Sequence, residues 1–180
     1  FLVPLCDRVF NIPKEKLHVI TPDVGGGFGM KIFVYPETVL VLFAARRLGR
    51  PVRWNAERGE AFLSDTQGRD HVTLAELALD GEARILGLRV TTTANMGGYL
   101  SSFAPFIPTG CYAPMLSGLY TIPVGYAEVT TVFTNTVPVD AYRGAGRPEA
   151  AYLVERLIDA AARDVGMAPD ELRLRNFIPP

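Results

Sequence analysis

The sequence predicts an α+β fold in which helices pack on a mixed β-sheet. An alternating apolar pattern over residues 71–79 and a strand-like run over 85–93, which ends in the β-branched residues Thr91-Thr92-Thr93, flank the hairpin-type turn Asp80-Gly81. Two helix-forming segments begin at a proline and end at a glycine. The first runs from Pro36 to Gly49, and the second runs from Pro148 to Gly166. Because a chain of 180 residues is the size of one domain, we expect a single partial domain with no internal boundary.

The first part of the chain is predicted to contain two helices and two short strands. The first helix covers residues 1–10, and a strand at 16–21 leads into a glycine-rich loop. The second helix covers residues 37–48, and because its side chains are apolar nearly all round, we expect it to be buried. A strand at 51–54 follows, and then a polar loop that continues as far as Arg69.

The rest of the chain is predicted to alternate between strands, loops and helices. After the hairpin, an irregular stretch rich in proline, glycine and aromatic residues covers 101–121. A strand at 126–136, a second glycine-containing loop, a helix at 148–165 and a last short helix from Pro169 follow. In the first hairpin strand, the residues predicted to face the core are Val72, Leu74 or Ala75, Leu77 and Leu79.

Composition and charge exclude several classes of partner. Lys and Arg total 18 and Asp and Glu total 19, so the net charge of −1 gives no reason to expect nucleic acid or an anionic membrane as partner. The longest apolar run, around 39–45, is too short to span a bilayer. The chain begins and ends within apolar segments that look cut, so we expect it to be a piece of a larger protein. The cytoplasm is its default location.

Residue types that bind metals or act as nucleophiles are sparse. Cys6 and Cys111 lie far apart and His18 and His71 stand alone, so we predict no metal site built from side chains. A disulfide between the two cysteines is the alternative, but we expect two buried thiols in a reducing compartment. No serine stands in a Gly-x-Ser-x-Gly setting. We expect Asp65, like the other acidic residues near it, to lie on the solvated surface.

Gly25-Gly26-Gly27-Phe28-Gly29 is the most informative stretch of the chain. Glycine adopts backbone angles closed to other residues and lets a ligand approach the main chain, so this loop is either a tight turn or a backbone grip on a ligand. The dinucleotide fingerprint fails because its third glycine position falls on Met30. A P-loop fails because Lys31 is followed by Ile32 rather than by Ser or Thr. A glycine loop of some other kind remains.

A second candidate loop, Tyr142-Arg143-Gly144-Ala145-Gly146-Arg147, follows a predicted strand and precedes a predicted helix. Arginine offers a planar fork of donors for oxyanions, and the helix start at Pro148 favours negative charge. The alternative interpretation is an arginine that braces the loop by bonding to backbone carbonyls. The spacing alone leaves both interpretations open.

Taken together, several separated segments resemble the molybdenum-binding large subunit of the xanthine oxidase family, which includes aldehyde oxidases and aerobic carbon monoxide dehydrogenases. The segments are residues 23–31, Tyr35-Pro36-Glu37, Tyr120-Thr121-Ile122-Pro123, 141–149 and 174–177. The resemblance covers essentially the whole chain. It implies the fold of the family's first molybdopterin-binding domain, in truncated form.

The resemblance also implies a cofactor and the residues beside it. The cofactor is molybdenum bound by molybdopterin, usually as the cytosine dinucleotide in bacteria. Seven residues are implied to bind it: Gly26, Gly27, Phe28, Gly29, Arg143, Gly144 and Ala145. Of these, Phe28, Gly29 and Arg143 are the predicted catalytic residues, and none is expected to be a metal ligand.

Three positions depart from other branches of the family. Gly144 stands where the carbon monoxide dehydrogenases carry a cysteine, so carbon monoxide is not the expected substrate. Ala145 replaces a phenylalanine of the purine-oxidising members, and Ile32 replaces an acidic residue. The resemblance therefore implies an aldehyde or an N-heterocycle as the small-molecule substrate, oxidised with oxygen from water.

Finally, the resemblance implies partners that complete the enzyme. Electrons would leave through iron–sulfur clusters and FAD on partner subunits or domains, and the assembly would be a homodimer of heterotrimers. The family's general base, a glutamate in a Gly-x-Gly-Glu setting, does not occur in this sequence, so we expect this chain alone to be inactive. The alternative is a non-catalytic cofactor-binding or subunit-docking module on the same fold.

Overall fold

A computed structural model describes residues 1–179, which divide into two compact units. The first unit is Phe1–Asp65, and the second begins at Thr66. Each unit has its own internal packing. The expectation of one domain over 1–180 stays a prediction.

The first unit contains three helices, α1 (Leu2–Phe10), α2 (Pro36–Leu48) and α3 (Arg58–Ser64). The first two confirm the predicted helices. Helix α1 ends because Asn11 turns to a left-handed conformation with φ 51°, and α2 ends at Gly49 with φ 62°.

Helix α3 lies where the sequence predicts a polar loop. Its start is fixed by a capping box, in which the Glu57 side chain accepts a hydrogen bond from a first-turn amide. In return, the Glu60 carboxylate accepts the Glu57 amide at 2.8 Å. The sequence signal for this helix is the spacing Glu57-x-x-Glu60. Glu57 occupies the N-cap position, where Ser or Thr is usual.

Three other expectations for the first unit are wrong. Residues 16–21 and 51–54 form no strand, because a short apolar run needs a partner ladder to be a strand and neither run has one among the described residues. Helix α2 has no fully buried residue along its described length. Three of its large apolar side chains are more than half exposed: Leu40, Phe43 and Leu48.

The second unit contains a three-stranded sheet in the order β1 (His71–Leu79), β2 (Ile85–Asn95) and β3 (Gly125–Val132). Strands β1 and β2 are antiparallel, whereas β2 and β3 are parallel, which confirms a mixed sheet. The turn between β1 and β2 is fixed by Asp80, whose Oδ1 accepts the amides of Glu82 at 2.9 Å and Arg84 at 2.8 Å.

The register of β1 corrects two of the residues predicted to face the core. Val72 and Leu74 point to the exposed face, with 76% and 67% of their surface accessible. The inward face alternates with them and carries His71, Thr73, Ala75, Leu77 and Leu79. Since strand side chains alternate between faces, this parity places two polar side chains, those of His71 and Thr73, on the same face as the apolar inward residues.

Helices α4 (Arg147–Asp164) and α5 (Pro169–Asn176) complete the core of the second unit and confirm the last two predicted helices. One face of α4, with Val154 and Ile158 at its centre, is buried in the same cluster as the inward residues of β2. The stretch predicted as irregular contains a wide helical turn, Ile107–Tyr112, which buries Tyr112 in this cluster.

Asn176 ties α5 to the hairpin. Its side-chain oxygen accepts the Ile85 amide at 2.8 Å, and its Nδ2 donates to the carbonyls of Ala83 and Leu172, both at 2.9 Å. A buried amide with three partners is satisfied and fixes the helix against the turn. Within residues 1–179, no helix combines the length and the apolar character needed to cross a membrane.

Candidate functional site

The first glycine loop has a backbone that only glycine adopts easily. Gly26 and Gly29 have φ values of 115° and 94°, and Phe28 between them has φ 50°. The Phe28 ring lies over Gly26, so a Cβ on Gly26 would come within 3.0 Å of two ring carbons. The loop therefore holds Phe28 against its own backbone, and the ring remains 55% exposed.

The backbone amides of this loop are free to bind a ligand. Among residues 1–179, the amides of residues 25–29 donate to no acceptor. The chain then turns back on itself, since the Lys31 amide donates to the Gly27 carbonyl at 3.0 Å and the Ile32 amide to the Gly29 carbonyl at 3.1 Å. Successive unpaired amides in such a turn form a concavity suited to anionic or oxygen-rich groups.

Two side chains brace the end of this loop. Lys31 Nζ lies 2.5 Å from Asp65 Oδ2, and the Tyr35 hydroxyl donates to the Met30 carbonyl at 2.7 Å. Asp65 is 7% exposed, so the expectation of a solvated carboxylate is wrong. The carboxylate is buried because the Lys31 ammonium neutralises it.

The second loop also depends on glycine. Gly144 and Gly146 have φ values of 90° and 83°, and Ala145 between them has φ 22°. A Cβ on Gly146 would lie 2.6 Å from the Cys111 carbonyl carbon and 2.7 Å from the Tyr112 nitrogen. Gly146 is therefore required both by its backbone angle and by the close approach of a neighbouring chain segment.

Arg143 does not brace this loop. Its side chain is exposed and makes no hydrogen bond or ion pair with any residue from 1 to 179. The arginine that bonds to the loop carbonyls is Arg69, whose Nη2 donates to the carbonyls of Tyr142, at 3.4 Å, and of Arg143. Arg147 adds a bond from Nη1 to the Gly144 carbonyl at 3.3 Å.

Sequence reasoning missed Arg69 because its partners lie more than 70 positions away. The Arg69 guanidinium carbon lies 4.9 Å from the centroid of the Tyr142 ring, and Nε lies 3.7 Å from Glu149 Oε2. In the sequence near Arg69, Gly68-Arg69-Asp70 within a polar stretch gives little indication that this arginine bonds to a distant loop. Gly68 permits the approach, since a Cβ there would lie 2.9 Å from the Tyr142 Cβ.

A cavity of about 530 Å³ lies beside Arg69 and Glu149. Glu149 Oε2 is buried and accepts no hydrogen bond from the described residues. His71 also lines the cavity, and its ring meets the Tyr112 ring edge-on with centroids 5.1 Å apart. Burial lowers the pKa of the His71 imidazole, while the carboxylates of Glu149 and Asp70 act in the opposite direction.

The predicted site residues therefore fall into two groups. Gly26, Gly27, Phe28 and Gly29 lie together in the first unit, and Arg143, Gly144 and Ala145 lie together in the second. Their roles toward a cofactor stay predictions. Among residues 1–179, no three His, Cys, Asp or Glu side chains are grouped as a metal site would require, and Cys6 and Cys111 are free thiols.

Comparison with known proteins gives the same family as the sequence motifs. The model of the molybdopterin cofactor-binding domain matches residues 3–177. The chain is 37% identical over 171 residues to the gamma subunit of the 6-hydroxypseudooxynicotine dehydrogenase complex of Paenarthrobacter nicotinovorans, covering 95% of this chain and 21% of that protein. It is 39% identical over 171 residues to the carbon monoxide dehydrogenase large chain of Hydrogenophaga pseudoflava, covering 93% of this chain and 21% of that one.

The structural comparison agrees. Quinoline 2-oxidoreductase from Pseudomonas putida 86 matches with a TM-score of 0.92 and 37% identity, over 99% of this chain and 23% of that one. The chain thus spans about a fifth of the length of these relatives. Because the family model covers nearly every residue and the two glycine loops have the backbone described above, the chain belongs to the family of molybdopterin cofactor-binding domains.

Proposed function

We propose that the chain is the first molybdopterin-binding domain of a molybdenum hydroxylase large subunit. The full-length protein oxidises an aldehyde or an N-heterocycle with oxygen from water. The observation that carries the proposal is a pair of glycine loops in a chain of this family: the amides of residues 25–29 in the first loop, and those of Arg143 and Gly144 in the second, have no acceptor among residues 1–179. The 180-residue chain alone is inactive in this account, because it lacks the Gly-x-Gly-Glu segment.

Each loop, taken by itself, fits an oxygen-rich part of a molybdopterin group on chemical grounds. Its oxygen-rich parts need hydrogen-bond donors that come close to them, and main-chain amides next to glycine provide such donors. The amides of residues 25–29, and those of Arg143 and Gly144, meet this need. When bound, the molybdenum cofactor supplies the two-electron redox change of the reaction.

We propose that the first loop binds the cofactor and that the second loop positions groups beside the reacting centre. The amides of Gly26, Gly27 and Gly29 would donate to the cofactor, and the Phe28 ring, which lies over Gly26, would limit access of water to that side. A side chain at Gly26 would displace this ring, since it would meet the ring carbons at 3.0 Å.

The second loop is proposed to face the reacting centre with Arg143, Gly144 and Ala145. The exposed guanidinium of Arg143 is available to an anionic or carbonyl oxygen. Gly144 and Ala145 present no bulky or reactive side chain, which leaves room for a ring-shaped substrate. The substrate gains one oxygen atom from water, and two electrons and two protons leave.

Several observations support an N-heterocycle or aldehyde over carbon monoxide. By the family resemblance, Gly144 takes the position at which the carbon monoxide dehydrogenases carry a cysteine. Two of the relatives are, by name, a quinoline oxidoreductase and a 6-hydroxypseudooxynicotine dehydrogenase. We extend this substrate class to the full-length protein.

We further propose that the cofactor is the cytosine dinucleotide form and that iron–sulfur and FAD subunits complete the electron path. The names of the relatives support an assembly of several subunits, since one is the gamma subunit of a complex and another a large chain. A cytoplasmic homodimer of heterotrimers is the arrangement that we propose.

The test is to express the full-length subunit with its partners and to screen aldehydes, N-heterocycles and carbon monoxide for reduction of a dye. We expect turnover with a member of the first two classes and none with carbon monoxide. A downstream Gly-x-Gly-Glu segment should be encoded in the same gene. If that segment is missing and no substrate is turned over, the docking-module alternative replaces this proposal.

A further inference from the structure

We propose that Arg69 is a positioning residue that sets the direction of the Arg143 and Gly144 amides in the second loop. The inference rests on the proposed function only for the identity of the ligand that those amides meet. The brace itself follows from contacts within this chain.

The first step is the set of contacts that Arg69 makes. One nitrogen, Nη2, donates to the carbonyls of both Tyr142 and Arg143, and the guanidinium lies over the Tyr142 ring. The opposite edge of the group, Nε, faces Glu149 Oε2 at 3.7 Å. One side chain thus contacts the start of the loop and the first turn of α4.

The second step is the geometry of the peptide group. In a trans peptide, the carbonyl and the amide N–H of the next residue point in opposite directions. Because the carbonyls of Tyr142 and Arg143 face Arg69, the amides of Arg143 and Gly144 point away from it. Among residues 1–179 these two amides have no acceptor, so the loop presents two adjacent donors on its far side.

The third step is that Arg69 is itself held in place. The segment before β1 runs beside the segment that leads into the loop, since the Gln67 amide donates to the Pro138 carbonyl at 3.0 Å and the Asp140 amide to the Gln67 carbonyl at 2.8 Å. Asp140 is buried, and its Oδ2 accepts the Phe103 amide at 3.0 Å. The backbone next to Arg69 is therefore held in place by hydrogen bonds, and the Arg69 side chain reaches the loop from this fixed position.

The fourth step concerns what could replace Arg69. A lysine ammonium is a point charge without the planar group that stacks on an aromatic ring while donating from two edges. Glutamine carries no charge and leaves Glu149 Oε2, which is buried and accepts no hydrogen bond from the described residues, without its cation. Arg69→Gln together with Glu149→Gln removes both charges and avoids a buried carboxylate with no counter-ion.

The experiment uses the full-length subunit with its partners, as wild type, R69Q, R69K, the double variant R69Q/E149Q and the control R84Q. Arg84 lies in the same unit and is 62% exposed, in an ion pair with Glu82. Four measurements are made: molybdenum analysis, steady-state kinetics for kcat and KM, the EPR signal of partly reduced molybdenum, and hydrogen exchange of the Ala145 amide. That amide donates to the Tyr142 carbonyl at 2.8 Å and so reports on the turn.

We expect R84Q to match wild type in all four. In R69Q and in the double variant, kcat should fall about 10- to 100-fold with KM changed less than about threefold, as for misplacement of a catalytic loop by about 1 Å. The EPR signal should change, and exchange at Ala145 should be roughly tenfold faster or more. R69K should recover part of kcat.

Equal exchange and an identical EPR signal in R69Q/E149Q and R84Q would overturn the role of Arg69 while leaving the proposed function intact. If the wild type binds no molybdenum, the proposed function fails, and exchange at Ala145 alone decides whether Arg69 holds the loop. If R69Q does not fold, the double variant R69Q/E149Q is compared with R84Q in its place.

Discussion

Arg69 Nε lies 3.7 Å from Glu149 Oε2, and this pair joins the segment before β1 to the first turn of α4. The loop from Tyr142 to Arg147 runs between these two points. Its carbonyls are therefore held from one side while its free amides remain on the other. The start of this loop is therefore held by a side chain that lies outside the loop, Arg69.

Replacing Gly146 with alanine should destabilise the second unit strongly. The residue has φ 83°, and a Cβ would lie 2.6 Å from the Cys111 backbone, so backbone strain and overpacking add to about 2–4 kcal/mol. The free energy of unfolding in urea measures the effect. Gly125→Ala is the matched control, because no atom lies within 4 Å of its Cβ position, and should change stability by less than about 1 kcal/mol. Equal stability of the two variants would disprove the steric argument.

Replacing Arg143 with alanine should separate stability from activity. The Arg143 side chain is exposed and makes no hydrogen bond or ion pair within residues 1–179, so the free energy of unfolding should stay within about 0.5 kcal/mol of wild type. In the full-length protein we expect turnover to fall about tenfold or more with molybdenum content roughly unchanged. Steady-state kinetics and metal analysis test this, and Arg84→Ala, at an exposed arginine of the same unit, is the control variant. Unchanged kinetics would remove Arg143 from the site.

The titration of His71 should depend on Glu149. Burial lowers the pKa of His71 below 6.5, so its stabilising effect is present above about pH 6.5 and is lost as the pH falls through the folded-state pKa. Since the Glu149 carboxylate raises this pKa, Glu149→Gln should lower it further. NMR titration of the imidazole protons measures the shift, because the chain has 2 histidines and His71→Gln identifies the signal. A pKa that rises or stays constant in the Glu149 variant contradicts the assignment.

Tyr120 should make stability fall at alkaline pH. Burial, helped by the 2.7 Å hydrogen bond from its hydroxyl to Glu155, raises the pKa of Tyr120 to about 12 from an ordinary value of 10.0. The stabilisation is fully present below pH 10 and is lost between about pH 10 and 12. Tyr120→Phe should therefore cost about 1 kcal/mol at pH 7, and the difference from wild type should shrink above pH 10. Urea unfolding at several pH values checks this, and a difference independent of pH would refute it.

The sequence predicted those elements whose signals are local. Helix α2 could be placed because Pro36 and Gly49 bound it, and the hairpin because Asp80-Gly81 sits between two strand-like runs. Both glycine loops could be found because their residues are consecutive. Helix α3 was missed although Glu57 and Glu60 carry its capping box.

The sequence could not predict features that depend on distant partners. The apolar runs at 16–21 and 51–54 have strand-like composition, but a strand also requires a neighbouring strand. Asp65 looks like any surface carboxylate until Lys31 is found beside it. Arg69 shows no local sign of its role, because its bonds to Tyr142 and Arg143 arise only when the chain folds.

If the two glycine loops each bind part of a molybdopterin cofactor, the purified full-length protein must contain both molybdenum and pterin. Expressed in a host that makes the cofactor, the protein should contain stoichiometric molybdenum and pterin, whereas the isolated 180-residue chain should contain neither. A folded full-length protein that lacks both, or an isolated chain that carries stoichiometric molybdenum, would contradict the account.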